Sequence, residues 1–268
     1  MTAECAVLPQ VTHAPCASAV RGSGPRRLGP VMETIVLDIG ETLIRDDRYW
    51  ASWADWLGVP PHTLSALVGA AVAQGRDSAD ALTLLRPGMD VTEAAHARAA
   101  AGRGEHLDES DLYPDVRPAL ARLRELGVRV VVAGNGTAKA GELLRALDLP
   151  ADLVATSGEW GVAPPDPEFF ARVLDASGAD PRATLYVGAH PARGLFPAKS
   201  SGLRAAHIRR GAAGYWWADH PDVVETADFH VSALTELPGL VEGAGPAEPP
   251  EPTEEAPGRT RVRALRAL

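Results

Sequence analysis

Apolar positions along the chain alternate between two periods. Thr34-Ile35-Val36-Leu37 is a short β-branched run ending at Asp38, and Val128 to Val132 is a second, following a stretch with helical spacing from Val116 to Leu126. Thr184-Leu185-Tyr186-Val187 follows a helix signal from Pro167 to Ser177, and Leu203 to Ile208 supplies a fourth run. Strands alternating with helices predict right-handed crossovers and a parallel sheet covered on both faces, an α/β, Rossmann-like class. The segment from Asp46 to Leu112 interrupts this alternation: it is rich in Ala and Leu at 3.6-residue spacing and carries no strand run. It predicts an inserted helical cap. Trp50, Trp53 and Trp56 recur every three residues along one side of a helix, a pattern that marks a packing stripe more often than a wall facing a substrate.

The ends of the chain lack either period. Residues 1–31 carry Pro9, Pro15, Pro25 and Pro30 among Gly and Ser and read as a flexible leader, with Met32 as an alternative start. Residues 242–268 are dense in Pro and Glu and close on Arg259, Arg261, Arg263 and Arg266, which reads as a disordered tail with a basic tip. The core is expected over 32–45 and 114–241, and the cap over 46–113.

Composition narrows the partners. A chain of 268 residues that is 46% hydrophobic buries a substantial core, and a formal charge of -9 offers no long-range attraction to nucleic acid or anionic membranes. Neither is expected as a partner. Cys5 and Cys16 are the two cysteines, both in the leader, so no disulfide framework holds the core. No window approaches the roughly 18 apolar residues of a membrane span, and the leader lacks a signal-peptide pattern. A soluble, cytoplasmic protein is expected.

The segment Ile35-Val36-Leu37-Asp38-Ile39-Gly40-Glu41-Thr42-Leu43 resembles the first motif of the haloacid dehalogenase-like (HAD) superfamily, in which a strand delivers a nucleophilic Asp into a tight turn. The later landmarks come in that family's order. Ala133-Gly134-Asn135-Gly136 follows the second strand, Gly161 to Phe170 precedes a helix, and Tyr186-Val187-Gly188-Ala189-His190-Pro191 ends another strand. The resemblance covers roughly residues 33 to 240. It implies a HAD-like core and phosphoryl or related transfer through a covalent aspartyl intermediate on Asp38.

Measured against the resemblance, four supporting groups are missing. Gly40 stands where the family's phosphatases carry a second Asp as general acid and base. Gly134 replaces a Ser or Thr that contacts the transferred group, though a backbone N–H there still offers a donor. Pro164 replaces the charge-compensating Lys and supplies neither charge nor an N–H. Ala189 replaces a magnesium-binding Asp, and no Asp or Glu occurs between Asp180 and Asp219. Glu41 is a displaced acid or a turn cap, His190 an acid/base group or a structural histidine, and Lys139 a substitute cation or a solvated helix-start lysine.

Two readings follow. In the first, the chain is a catalytically degenerate HAD-like protein whose Gly40, Thr42, Gly134 and Asn135 still shape a pocket for a small anionic metabolite, or which binds a protein partner, without a cofactor. In the alternative, it is an active hydrolase, a small-metabolite phosphatase or dehalogenase, with Asp38 as nucleophile and magnesium as an admissible ion. Groups that act as a unit lose their effect together, which favours the first.

Overall fold

The computed structural model describes residues 32–243. The expected leader, and the tail beyond residue 243, lie outside the described residues. Six strands form one parallel sheet: β1 (Thr34–Leu37), β2 (Arg129–Gly134), β3 (Leu153–Thr156), β4 (Thr184–Gly188), β5 (Arg204–Ile208) and β6 (Phe229–Val231), in the order β3-β2-β1-β4-β5-β6. β1 pairs with β2 through Leu37↔Val132 and with β4 through Leu37↔Val187, so both of its edges are satisfied and it lies at the centre. That position explains its unbroken apolar run: all four of its residues are buried.

Side-chain alternation along the strands splits the core in two. Ile35, Leu37, Val130, Val132, Leu185 and Val187 face one layer, where α5 (Val116–Glu125) contributes Val116, Leu120 and Leu123. Val36, Val131, Ala133 and Tyr186 face the other, against Phe169, Phe170 and Val173. Those residues belong to α8 (Pro167–Ser177), which begins on the Asp166 N-cap, has Pro at its first position and stops at the left-handed Gly178. Helices cover both faces, as the alternation of runs predicts. Two strands escaped the sequence reading. β3 is a four-residue edge strand and β6 spans three residues at the opposite edge, both too short to carry a periodic signal.

Between β1 and α5 the chain forms α1 (Asp47–Leu57), α2 (Pro61–Ala73), α3 (Asp80–Leu85) and α4 (Val91–Ala100). They bury a cluster of their own around Trp50, Trp53, Leu64, Val68 and Leu82. Trp53 is 2% exposed, and the Arg98 guanidinium lies 4.1 Å from its ring centroid. The tryptophan side of α1 is therefore packed, although Trp50 also reaches a cavity described below. The segment leaves and rejoins the sheet through adjacent stretches of chain: Arg45 N donates to Asp111 O at 2.8 Å, and Tyr113 N to Leu43 O at 2.9 Å. No single helix among the described residues is long and apolar enough to cross a membrane.

The remaining helices are α6 (Ala138–Ala146), α7 (Ser157–Trp160), α9 (Phe196–Ser200), α10 (Gly211–Trp216), α11 (Pro221–Thr226) and α12 (Leu237–Gly243). Just before α10, the 6% exposed Arg210 ties three parts of the fold together. It donates to the Thr42 carbonyl at 2.7 Å, pairs with Asp115, and stacks 4.2 Å from the Tyr113 ring centroid. Asp115 also accepts from Leu234 N at 2.7 Å. Breaking a buried pair on one side strands the other charge. Arg210→Ala is expected to cost about 3–5 kcal/mol in urea unfolding; a loss under about 1 kcal/mol, typical of exposed pairs, would show that the bridge is solvated.

Candidate active site

In an open parallel sheet, ligands sit beyond the carboxyl ends of the strands where the order reverses. Here β1, β2 and β4 end side by side at Asp38, Asn135 and Ala189-His190, beneath a cavity of about 790 Å³ roofed by the α1–α4 segment. Of the residues nominated from sequence, Asp38, Gly40, Glu41, Asn135 and His190 line this cavity, whereas Thr42, Gly134 and Lys139 do not. Thr42 is fully buried. Lys139 points outward and pairs with Glu142 at 2.8 Å, so it supplies no charge to the cavity.

Asp38 is turned into the protein. Its Oδ1 accepts from Ile39 N at 2.8 Å, and its carboxylate also accepts from the hydroxyl of the buried Tyr186 on β4. A Cβ added at Gly134 would overlap Oδ1, so the carboxylate occupies the room that a side chain at 134 would need. Burial pushes the Asp38 pKa up to about 6, against the lowering effects of the Ile39 N–H, the Tyr186 hydroxyl and the Arg193 charge. The Ile39 N–H steadies this carboxylate, and the second donor is Tyr186, which sequence did not nominate.

Gly40 leaves space that another acid fills. A Cβ at Gly40 would stand 3.3 and 3.4 Å from the two carboxylate oxygens of Asp46, the residue preceding α1. Burial first, then the nearby charges of Glu41, Asp38 and Asp47, raise the Asp46 pKa well above its ordinary value. Asp46 was missed because nothing in its spacing places it there; the turn from Gly40 to Arg45 folds it back. Glu41 accepts from the Tyr113 hydroxyl at 2.5 Å and from Asp46 N at 3.3 Å, and burial raises its pKa as well.

Both ring nitrogens of His190 are buried without a hydrogen-bond partner, and burial together with the Arg193 charge lowers its pKa, so the ring is neutral near pH 7. Arg193 lines the cavity but pairs with Asp77, while Arg45 is turned to the Ser110 carbonyl. Pro164 occupies the wall at the position where the resemblance calls for a lysine.

Magnesium, which the family resemblance implies, does not fit these residues. The end of β4 offers Ala189 and His190 in place of carboxylates, and among the described residues no group of three His, Cys, Asp or Glu is placed to hold a metal ion.

A family model described as haloacid dehalogenase-like hydrolase matches residues 32–202, and the chain belongs to that family. Among characterised relatives it is 26% identical over 204 residues to Phosphatase MT3486 of Mycobacterium tuberculosis, covering 75% of this chain and 83% of that protein. It is 34% identical over 103 residues to a phosphoserine phosphatase of Thermus thermophilus, covering 37% of this chain but 41% of that protein's length. The fold matches a haloacid dehalogenase-like hydrolase from Bacteroides fragilis with a TM-score of 0.57 at 18% identity, over 76% of this chain and 99% of the other. The HAD-like hydrolase YfnB of Bacillus subtilis matches at 0.56 and 16% identity, over 79% and 99%.

The buried Asp38 carboxylate has a measurable consequence. Folding raises its pKa from 3.8 to about 6, so the native state holds the extra proton within that window and stability falls as pH rises through it. Asp38→Asn removes this penalty. The variant is expected to exceed the native chain in stability at pH 8 by roughly 3 kcal/mol at most, with the gap closing near pH 3.5. Urea unfolding at both pH values checks this, and a gap independent of pH would refute it.

Proposed function

We propose that this member of the HAD-like hydrolases is a ligand-binding protein that has given up metal-dependent phosphoryl transfer and kept the cleft. The observation that carries this reading is the charge of the cleft. Seven carboxylates line it against two arginines, of which Arg193 is taken up by Asp77 and Arg45 is turned to the Ser110 carbonyl, and Pro164 and Ala189 hold two of the positions from which cation and metal would act. A phosphoryl group brings further negative charge into a low-dielectric space, where uncompensated repulsion costs most. Asp38, held by Ile39 and Tyr186, fills the volume beside Gly134 that a group contacting the phosphoryl would take.

A second reading has one specific observation in its favour. The Asp46 carboxyl group lies beside the place where a side chain at position 40 would project, and burial with the neighbouring acids raises its pKa well above the ordinary value, the direction a general acid requires. With Asp38 as nucleophile it would support hydrolysis of a small substrate, in line with the phosphatases among the relatives.

A panel of phosphorylated metabolites and short haloacids, assayed with and without magnesium, separates the two. The native chain is expected to show no turnover above that of Asp38→Asn. Turnover abolished in Asp38→Asn and reduced 10²-fold or more in Asp46→Asn would establish the hydrolase instead.

A further inference from the structure

The α1–α4 segment meets the rest of the fold in two places of different character. Where it joins the sheet, Arg48 at its start pairs with the 5% exposed Asp111 at its end, and Arg210 ties the two junctions together from inside the protein. Across the cavity there are two polar side-chain contacts. Asp77, between α2 and α3, pairs with Arg193 in the turn Pro191–Leu195 that follows β4. Glu105, between α4 and α5, accepts at 2.5 Å from the hydroxyl of Thr137, the residue that caps α6 just after β2. All four residues line the cavity, so each contact spans it from roof to floor.

Water reaches the contacts across the cavity. Thr137 and Glu105 are exposed, and the Arg193 and Asp77 side chains are 33% and 30% exposed. An ion pair open to water contributes modestly and is weakened by salt, which cuts the reach of a charge from about 10 Å at 0.1 M to about 3 Å at 1 M. Asp77 accepts from Ala79 N at 2.8 Å through its other oxygen, so the local turn is held without the ion pair. What the pair adds is a connection between the helical segment and the end of β4.

We infer that the α1–α4 segment is a flap, hinged where Arg45 meets Asp111 and Leu43 meets Tyr113, and fastened over the cleft by the straps Asp77–Arg193 and Glu105–Thr137, the first of which makes closure salt-sensitive. A body held firmly along one edge and weakly along the other opens at the weak edge. α2 also rests on α10, so the straps bias the closed form without being its sole support. Opening frees Arg193, whose charge acts on both Asp38 and His190, so an open cleft presents a cation that the closed one spends on Asp77. The inference stands under either reading of the cleft, because binding and hydrolysis alike need access to it.

Amide hydrogen exchange of the full chain, read by mass spectrometry at about 0.02 M and about 1 M NaCl, tests this on the native protein, Asp77→Asn and Arg193→Gln. Asparagine keeps an acceptor for Ala79 N and removes the charge. In Asp77→Asn at low salt, exchange is expected to rise about threefold, the size an exposed ion pair allows, around residues 74–80 and 190–196 and equally at the other strap, around 104–108 and 136–141. β1 and β2 are expected to stay unchanged. The native chain is expected to show the same rise in high salt, and Asp77→Asn to lose the salt response. The two straps share no residue, so faster exchange at the second after loss of the first reports motion of the whole segment. Changes confined to 74–80 and 190–196, a native pattern indifferent to salt, or a rise that spreads into β1 and β2 overturns the inference. Should Asp77→Asn fail to fold, Arg193→Gln and the native salt series carry the same comparison.

Discussion

Everything in this protein is positioned relative to the four residues of β1. Paired along both edges and covered on both faces, the strand has no exposed backbone and no exposed side chain until it ends at Asp38. Parallel pairing then fixes where its neighbours end, because the strands run in one direction and their registers align Leu37 with Val132 and Val187. The carboxyl ends of β1, β2 and β4 therefore meet at one place whatever residues stand there. A cleft at that edge is a property of the topology, whatever residues line it.

The residues that line the cleft have electrostatic consequences. In a site with a bound cation and a lysine, clustered carboxylates are compensated from outside the cluster. Here the acids lean on local donors: Asp38 on the Ile39 N–H and the Tyr186 hydroxyl and Glu41 on Tyr113, while burial and the neighbouring acids raise the Asp46 pKa. The same burial that raises these pKa values drives His190 toward its neutral form.

Arg210 shows how the helical segment is held over that edge. The turn after β1 and the start of α5 are the two ends through which the segment joins the sheet, and one guanidinium contacts both by bonding Thr42 O and pairing with Asp115. Its stacking on Tyr113 links this bridge to Glu41 and so to the cavity wall. Stability and site geometry therefore share a contact, with Arg210 positioned from β5, far along the chain.

The sequence by itself determined the layers of the fold, because the apolar runs at 34–37, 128–132, 184–187 and 203–208 and the helical spacing between them have only one economical burial, a parallel sheet between helices. It also located the edge where Asp38, Asn135 and His190 meet, and the absence of a carboxylate after Gly188. Tertiary structure decided the rest. Thr42 and Gly134 do not reach the cavity, Lys139 faces solvent, Asp46 and Arg193 line it, and Tyr186 holds Asp38 from the buried core. These placements depend on how a turn folds back, which strand face a side chain takes and which partner claims an arginine, and such contacts between distant or irregular segments leave no periodic trace in the order of residues.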